Sequence, residues 1–131
     1  MNLEMLSRRG LQVTGVLQTV TALVAVFAPD LFGALFHGRP LSTDPLVLRL
    51  HVMVWLFVFA LGLAWAHAGW SPGLQRSVLL AAGLGKGVAV GVWLEMLAQH
   101  LGTPLLWGAI SFDGALSALF CVTFVKTSGR S

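Results

Sequence analysis

The chain has 131 residues, of which 56% are hydrophobic and only 10% charged, with a net charge of +3 and a mean hydropathy of +0.84. Soluble domains carry about 25% charged residues, so this composition excludes a soluble globular protein and defines a membrane protein. At this length, residues 1–131 make one transmembrane domain. The single cysteine, Cys121, excludes an intramolecular disulfide, a CxxC redox pair and a cysteine zinc site, and is read as a small helix-packing residue. The positive charge does not indicate nucleic acid, because the basic residues sort to the ends of apolar runs, as topology signals do.

Four apolar runs are long enough to cross roughly 30 Å of hydrocarbon, which takes about 20 residues each. They span about 11–28, 46–66, 77–98 and 105–125. Only helices satisfy their own backbone in lipid, so the predicted fold is an all-α, four-transmembrane-helix antiparallel bundle with consecutive helices as neighbours. The first run follows Arg8 and Arg9 and ends Val26-Phe27-Ala28, like a signal peptide. Cleavage after Ala28 would leave Pro29 at the new terminus, which signal peptidase disfavours, so the run is read as a retained helix. Pro29 ends it, and residues 30–37 suit a short interfacial helix capped by Asp30, with Leu31, Phe32, Leu35 and Phe36 on its apolar face.

The other three runs start alike. Asp44-Pro45, Ser71-Pro72 and Thr103-Pro104 each place a potential capping side chain before a proline, which loses no hydrogen bond at the first helical position. Arg8, Arg9, Arg76, Lys126 and Arg130 flank one side of the membrane and only Arg39 and Arg49 the other. The positive-inside rule then places both termini in the cytoplasm, in a multi-pass protein of the inner membrane. Trp70 and Trp107 sit where interface anchors belong. Trp55, Trp65 and Trp93 lie deeper.

The third run carries Gly83, Gly87 and Gly91 at four-residue spacing, two overlapping GxxxG motifs that let another backbone come close. Its partner is either within the chain or a membrane-protein partner or second copy packed on this helix. Lys86 lies about 100° around the helix from the glycine stripe, on a flank shared with Trp93 and His100. It is ten residues from Arg76, or roughly 15 Å deep. Asp113, thirteen residues from Lys126, is roughly 20 Å deep on a helix joined by a tight loop. The axial gap of about 5 Å is within a lysine's reach, so Asp113 is the expected partner of Lys86. Thr14, Gln18, Thr21 and Ala25 make a polar stripe on the first helix, and Ala109, Asp113, Ser117 and Cys121 line up on the fourth. An intramembrane polar site is therefore expected at Lys86, Asp113, Gln18, Ser117 and Thr21, with the second helix turned toward lipid. Such a site either fixes the packing of the bundle or carries protons or substrate.

His51 and His100 lie on the outer side, where they could approach one another but too shallow to seat a haem well, and His37 and His100 suit loops or caps; no cofactor and no metal is expected. Arg49 and His51, with Asp30, Asp44 and Glu95 at a similar level, are read as solvated, snorkelling charge at the interface, the alternative being a polar outer mouth leading toward Lys86 and Asp113. No paired carboxylates at catalytic spacing, nucleophile elbow, phosphate loop or HExxH motif is present, so the chain reads as a non-enzyme.

The basic start "SRRG", the polar first helix, the loop "FAPDLFGALF", the arginine in "LVLRLH" and the final "SFDGALSALFCVTF" resemble the DoxX-like group of small bacterial four-helix membrane proteins. Some members of that group accompany quinone-linked oxidation, so the resemblance implies an accessory or scaffolding subunit. It carries over no binding residue. On this reading the chain packs through its third helix on a membrane partner. The alternative is a small oligomeric transporter or channel working through Lys86, Asp113 and Gln18.

Overall fold

The structure, a computed structural model, describes residues 2–41 and 43–128. It is helical, with α1 Leu3–Phe27, α2 Pro29–His37, α3 Pro45–Trp70, α4 Arg76–Ala98 and α5 Leu105–Ser128. The four long helices are each apolar and long enough to span a membrane. The four apolar runs and the short intervening helix are where the sequence placed them. The N-terminal boundary of α1 differs: the helix starts eight residues early, where Asn2 accepts a hydrogen bond from the Glu4 N–H. Hydropathy marks where lipid begins, whereas the backbone ladder continues into the polar flank through Arg8 and Arg9.

The proline punctuation holds at one start of three. The Asp44 carboxylate accepts from the N–H groups of Leu46 and Val47, with Pro45 in the first turn. Ser71 instead closes α3, its hydroxyl donating to the His67 carbonyl. α4 begins only at Arg76, with no side-chain cap. The freed carbonyls of Ser71 and Pro72 accept from the Arg8 guanidinium, which ties α1 to the α3–α4 connection. The Thr103 hydroxyl and N–H donate to the carbonyls of Leu35 and Phe36, 2.6 Å and 3.0 Å away, lashing the α4–α5 connection to α2. Asp30 does not cap α2 either; the N-cap is Ala28, without a side-chain bond. The expected apolar face of α2 divides. Phe32 is buried among Phe36, His37, His51 and Trp55, while Leu31 and Leu35 are exposed.

The spans pack as two close pairs. In the α1–α3 pair, a Cβ on Gly15 would lie 2.4 Å from the Ala66 backbone nitrogen, and one on Gly62 would lie 2.9 Å from the Gly15 carbonyl oxygen. Backbone meets backbone there, as small residues allow in a membrane. Gly69 meets Arg8 and Gln12 the same way, and Gln12 donates to the Gly69 carbonyl. In the α4–α5 pair, Gly83 faces Cys121 and Gly87 faces Ser117. Two of the three motif glycines are thus used inside the chain; a Cβ on Gly91 would meet nothing within 4 Å.

The pairs join mainly through α1 and α5. Ser7 and Thr123 share a buried hydrogen bond of 2.8 Å, and Thr123 passes its own proton to the Leu119 carbonyl. Gly10 sits against Leu116 and Phe120, within a core that includes Leu11, Trp65, Leu79 and Ala82. The start of α1, the end of α5 and the α3–α4 connection lie at one end of the bundle, where Arg8 bonds Ser71 and Arg76 bonds Ser128. Contrary to the expectation for consecutive helices, α3 and α4 touch only sparsely, chiefly where Trp65 reaches Gly85 and Lys86. As expected, α3 is the most lipid-facing span: only 6% of its apolar window is buried, against 22–28% in the other three.

Candidate functional site: a polar cavity inside the bundle

Lys86 and Asp113 form a buried ion pair, Nζ to Oδ1 2.5 Å, with the two residues 4% and 8% exposed. The partnership inferred from depth is therefore present. The rings of Trp65 and Phe112 flank the ammonium at 5.8 Å and 5.9 Å, adding a cation–π contribution. A charge at mid-membrane costs at least about 2.5–3.5 kcal/mol. Direct contact with an opposite charge offsets much of that.

The pair forms part of the wall of a cavity of about 290 Å³. All five helices contribute to it: Thr14, Leu17, Gln18 and Thr21 from α1, Phe36 from α2, Trp55 and Val58 from α3, Lys86, Ala89 and Trp93 from α4, and Ala109, Phe112 and Asp113 from α5. Leu17 and Phe112 also reach the outer surface of the bundle, 49% and 37% exposed. The cavity thus has a lipid-facing rim.

Three buried polar atoms have no protein partner among the described residues: Thr14 Oγ1, Gln18 Oε1 and Trp93 Nε1. All three belong to residues lining this one cavity. Leaving such a group unpaired costs about 1–3 kcal/mol each.

Gln18 and Thr21 line the cavity, as expected, but Gln18 makes no bond to the ion pair among the described residues. Ser117 belongs elsewhere. Its hydroxyl donates to the Gly83 carbonyl at 2.8 Å, on the α4–α5 seam. A four-residue step turns a helix by about 400°, so the row Ala109, Asp113, Ser117, Cys121 drifts about 40° per step. Its first two members face the cavity and its last two face the glycines of α4. Thr14 was legible as part of the α1 stripe and Trp93 as a residue on the Lys86 flank. Neither carried a sequence signal for an unpartnered polar atom.

Of the outer polar groups, Asp44 caps α3 and Glu95 accepts from Gln99 one turn on. His51 bonds the Ala25 carbonyl at 2.9 Å, half-buried beneath Phe32. His100 sits apart, at the end of α4 with φ 57°. The histidine that shares the Phe32 ring with His51 is His37, not His100. Nδ1 of His37 lies 3.3 Å from the Leu101 carbonyl. Burial lowers the His37 pKa from its ordinary value, reinforced by the charges of Arg39 and His51 and opposed by the Leu101 bond. No group of three His, Cys, Asp or Glu side chains able to hold a metal occurs among the described residues.

The fold and cavity define a multi-pass helical membrane protein with an internal polar site. Comparison with protein families, with curated proteins and with solved structures found no match.

Proposed function

We propose that this chain is a non-catalytic membrane protein of the binding or translocation type, working through the cavity at Lys86, Asp113, Gln18, Thr14, Thr21 and Trp93. One observation carries the reading: a buried ion pair and three residues that each hold an unpartnered polar atom line a single cavity with a lipid-facing rim. Pure packing accounts for the ion pair, whose two charges meet directly. It does not account for Thr14, Gln18 and Trp93, whose polar groups are costly in a bundle that has no use for them. The basic end of the bundle, with Arg8, Arg9, Arg76 and Lys126, faces the cytoplasm of an inner membrane on this reading. Arg130 lies outside the described residues.

The test is chemical access. With Cys121→Ser removing the native thiol, Gln18→Cys should react with a small water-soluble methanethiosulfonate, because thiolate chemistry needs a solvated site. A thiol at position 18 that stays inert while Thr43→Cys in the α2–α3 connection reacts would mean a dry, purely structural layer. Sided reagent on intact cells should reach Thr43→Cys from outside and spare Lys126→Cys.

A second reading keeps the accessory or scaffolding role that the DoxX-like resemblance implies. It rests on Gly91, where the glycine row of α4 continues beyond the cover of α5 into open space. A helix of a different membrane protein would seat there. Native mass spectrometry separates the two: a fixed ratio with a different protein favours the subunit, a homo-oligomer or monomer with a reactive position 18 favours the binding site.

A further inference from the structure

The rim at Leu17 and Phe112 faces lipid, so a water-borne solute needs another way into the cavity. The α2 end of the bundle offers one. A second cavity of about 460 Å³ lies there, lined by His37, Arg39, Pro40, Leu41, Met96 and Leu101. Arg39 and Pro40 are exposed, so this vestibule is at the surface. Its lining abuts that of the inner cavity on two elements. Phe36 lines the inner cavity, and His37, the next residue, lines the vestibule. On α4, Trp93 lines the first and Met96 the second, three residues on, or about 4.5 Å along the axis. Resting on the reading of the inner cavity as a solvated binding site, we infer that Phe36 and His37 form the gate between vestibule and cavity, clasped shut by the α4–α5 connection.

Two kinds of contact hold this turn of α2. Phe36 stacks on Phe32 with ring centroids 4.6 Å apart, and Phe32 is itself buried against Trp55. That packing anchors the middle of the helix. The clasp acts on the carbonyls beyond it. Thr103 donates through its hydroxyl to the Leu35 carbonyl at 2.6 Å and through its N–H to the Phe36 carbonyl at 3.0 Å. His37 Nδ1 adds its contact with the Leu101 carbonyl.

These bonds are of a kind that can be exchanged. Carbonyls in the last turn of a helix have no partner within the helix. Thr103 supplies one while the turn is docked, and water supplies one when it is not. Each such exchange shifts an equilibrium by only about fivefold, so the turn can undock while Phe32 keeps the rest of α2 in place. The chain just beyond it has the freedom this needs: Gly38 sits at φ 66° and its backbone turns either way at little cost. A Cβ on Gly38 would come 3.3 Å from Thr103 Cγ2, so the pivot lies directly beside the clasp.

The rate at which a thiol inside the cavity is modified tests the gate. In the Cys121→Ser background, Gln18→Cys is treated with a charged, membrane-impermeant methanethiosulfonate added to the face that labels Thr43→Cys. Thr103→Val drops one clasp bond and keeps the shape, and should speed the reaction at position 18 about fivefold. Phe36→Ala removes the gate ring and should speed it further, whereas Phe36→Trp should slow it. Thr43→Cys should react at one rate throughout. Melting of each variant is followed alongside, and Thr103→Val and Phe36→Trp decide the matter should Phe36→Ala melt early. A thiol at position 18 that reacts equally fast in every background, or only from the opposite face, would overturn the gate while leaving the cavity a solvated site reached by another way. A thiol that stays inert from both faces in every background would mean a dry layer, and the binding reading would fall together with the gate.

Discussion

The two helix pairs solve close packing in different ways. α1 and α3 meet backbone to backbone at Gly15, Gly62 and Gly69, against the backbones of Ala66, Thr19, Arg8 and Gln12. α4 and α5 meet across glycines on one side only, with Cys121 and Ser117 filling the space opposite. That second seam also carries the ion pair. The contrast teaches that a regular GxxxG row does not mark the tightest contact. The row in α4 meets mainly side chains opposite it, whereas the scattered glycines of α1 and α3 come up against backbone.

The largest effect expected lies on the seam that carries charge. Lys86→Met alone, or Asp113→Asn alone, should lower stability by about 3 kcal/mol, the cost of an uncompensated charge in this setting. The double variant should regain more than half of that loss, measured by reversible unfolding in mixed detergent. Strictly additive losses would show that the two residues do not interact.

Next comes the direct comparison of glycines. Gly15→Ala should destabilise by about 1–3 kcal/mol, because a Cβ there meets backbone that cannot move aside. Gly87→Ala should cost less, since the atom it would meet, 3.2 Å away, is the Ser117 hydroxyl. Gly91→Ala should leave melting unchanged. An order reversed between Gly15 and Gly87 would mean that α4–α5 is the rigid pair after all.

The bond joining the pairs is smaller. Thr123→Val removes both the Ser7 partner and the Leu119 bond. Intramembrane hydrogen bonds average about 0.6 kcal/mol, so a loss near 1 kcal/mol should appear in the same assay, and Ser7→Ala should cost about half as much.

The smallest effect concerns pH. His37 has a folded pKa below its ordinary 6.5 because burial disfavours its charge. Above 6.5 it is neutral in both states and adds no pH dependence. As pH falls below 6.5 the unfolded chain takes up the proton first, so stability declines until the folded pKa is passed. Melting followed from about pH 8 to about pH 5 should show this decline, and His37→Asn should flatten it.

The same contrast explains what was legible in the sequence. Span limits were readable because lipid dictates length and because Pro29 and Asp44-Pro45 stop and start helices by local chemistry. The pairing of Lys86 with Asp113 was readable because depth is a one-dimensional quantity, set by rise per residue. The seam of Gly15 on Gly62 was not, since neither helix shows a repeat and close approach is a property of two helices together. Ser117 was misplaced because a four-residue row was taken as one face, although it turns around the helix. The Ser71 and Thr103 side chains were misread because a hydroxyl before proline can serve the carbonyls of a preceding or neighbouring helix as well as the N–H groups of the next. The cavity itself needed three dimensions: Thr14, Gln18 and Trp93 become a set only when α1 and α4 line one cavity.

The ion pair also bears on how the protein is made. Lys86 precedes Asp113 by 27 residues, so it leaves the ribosome first, and α4 meets the bilayer before its counter-charge exists. Inserted alone, α4 would carry an uncompensated ammonium into hydrocarbon. Entering together with α5 as a hairpin, it carries the charge already matched. The α1–α3 pair contains no such debt and can enter one helix at a time. The two halves of the bundle therefore place different demands on the insertion machinery, the first sequential and the second concerted.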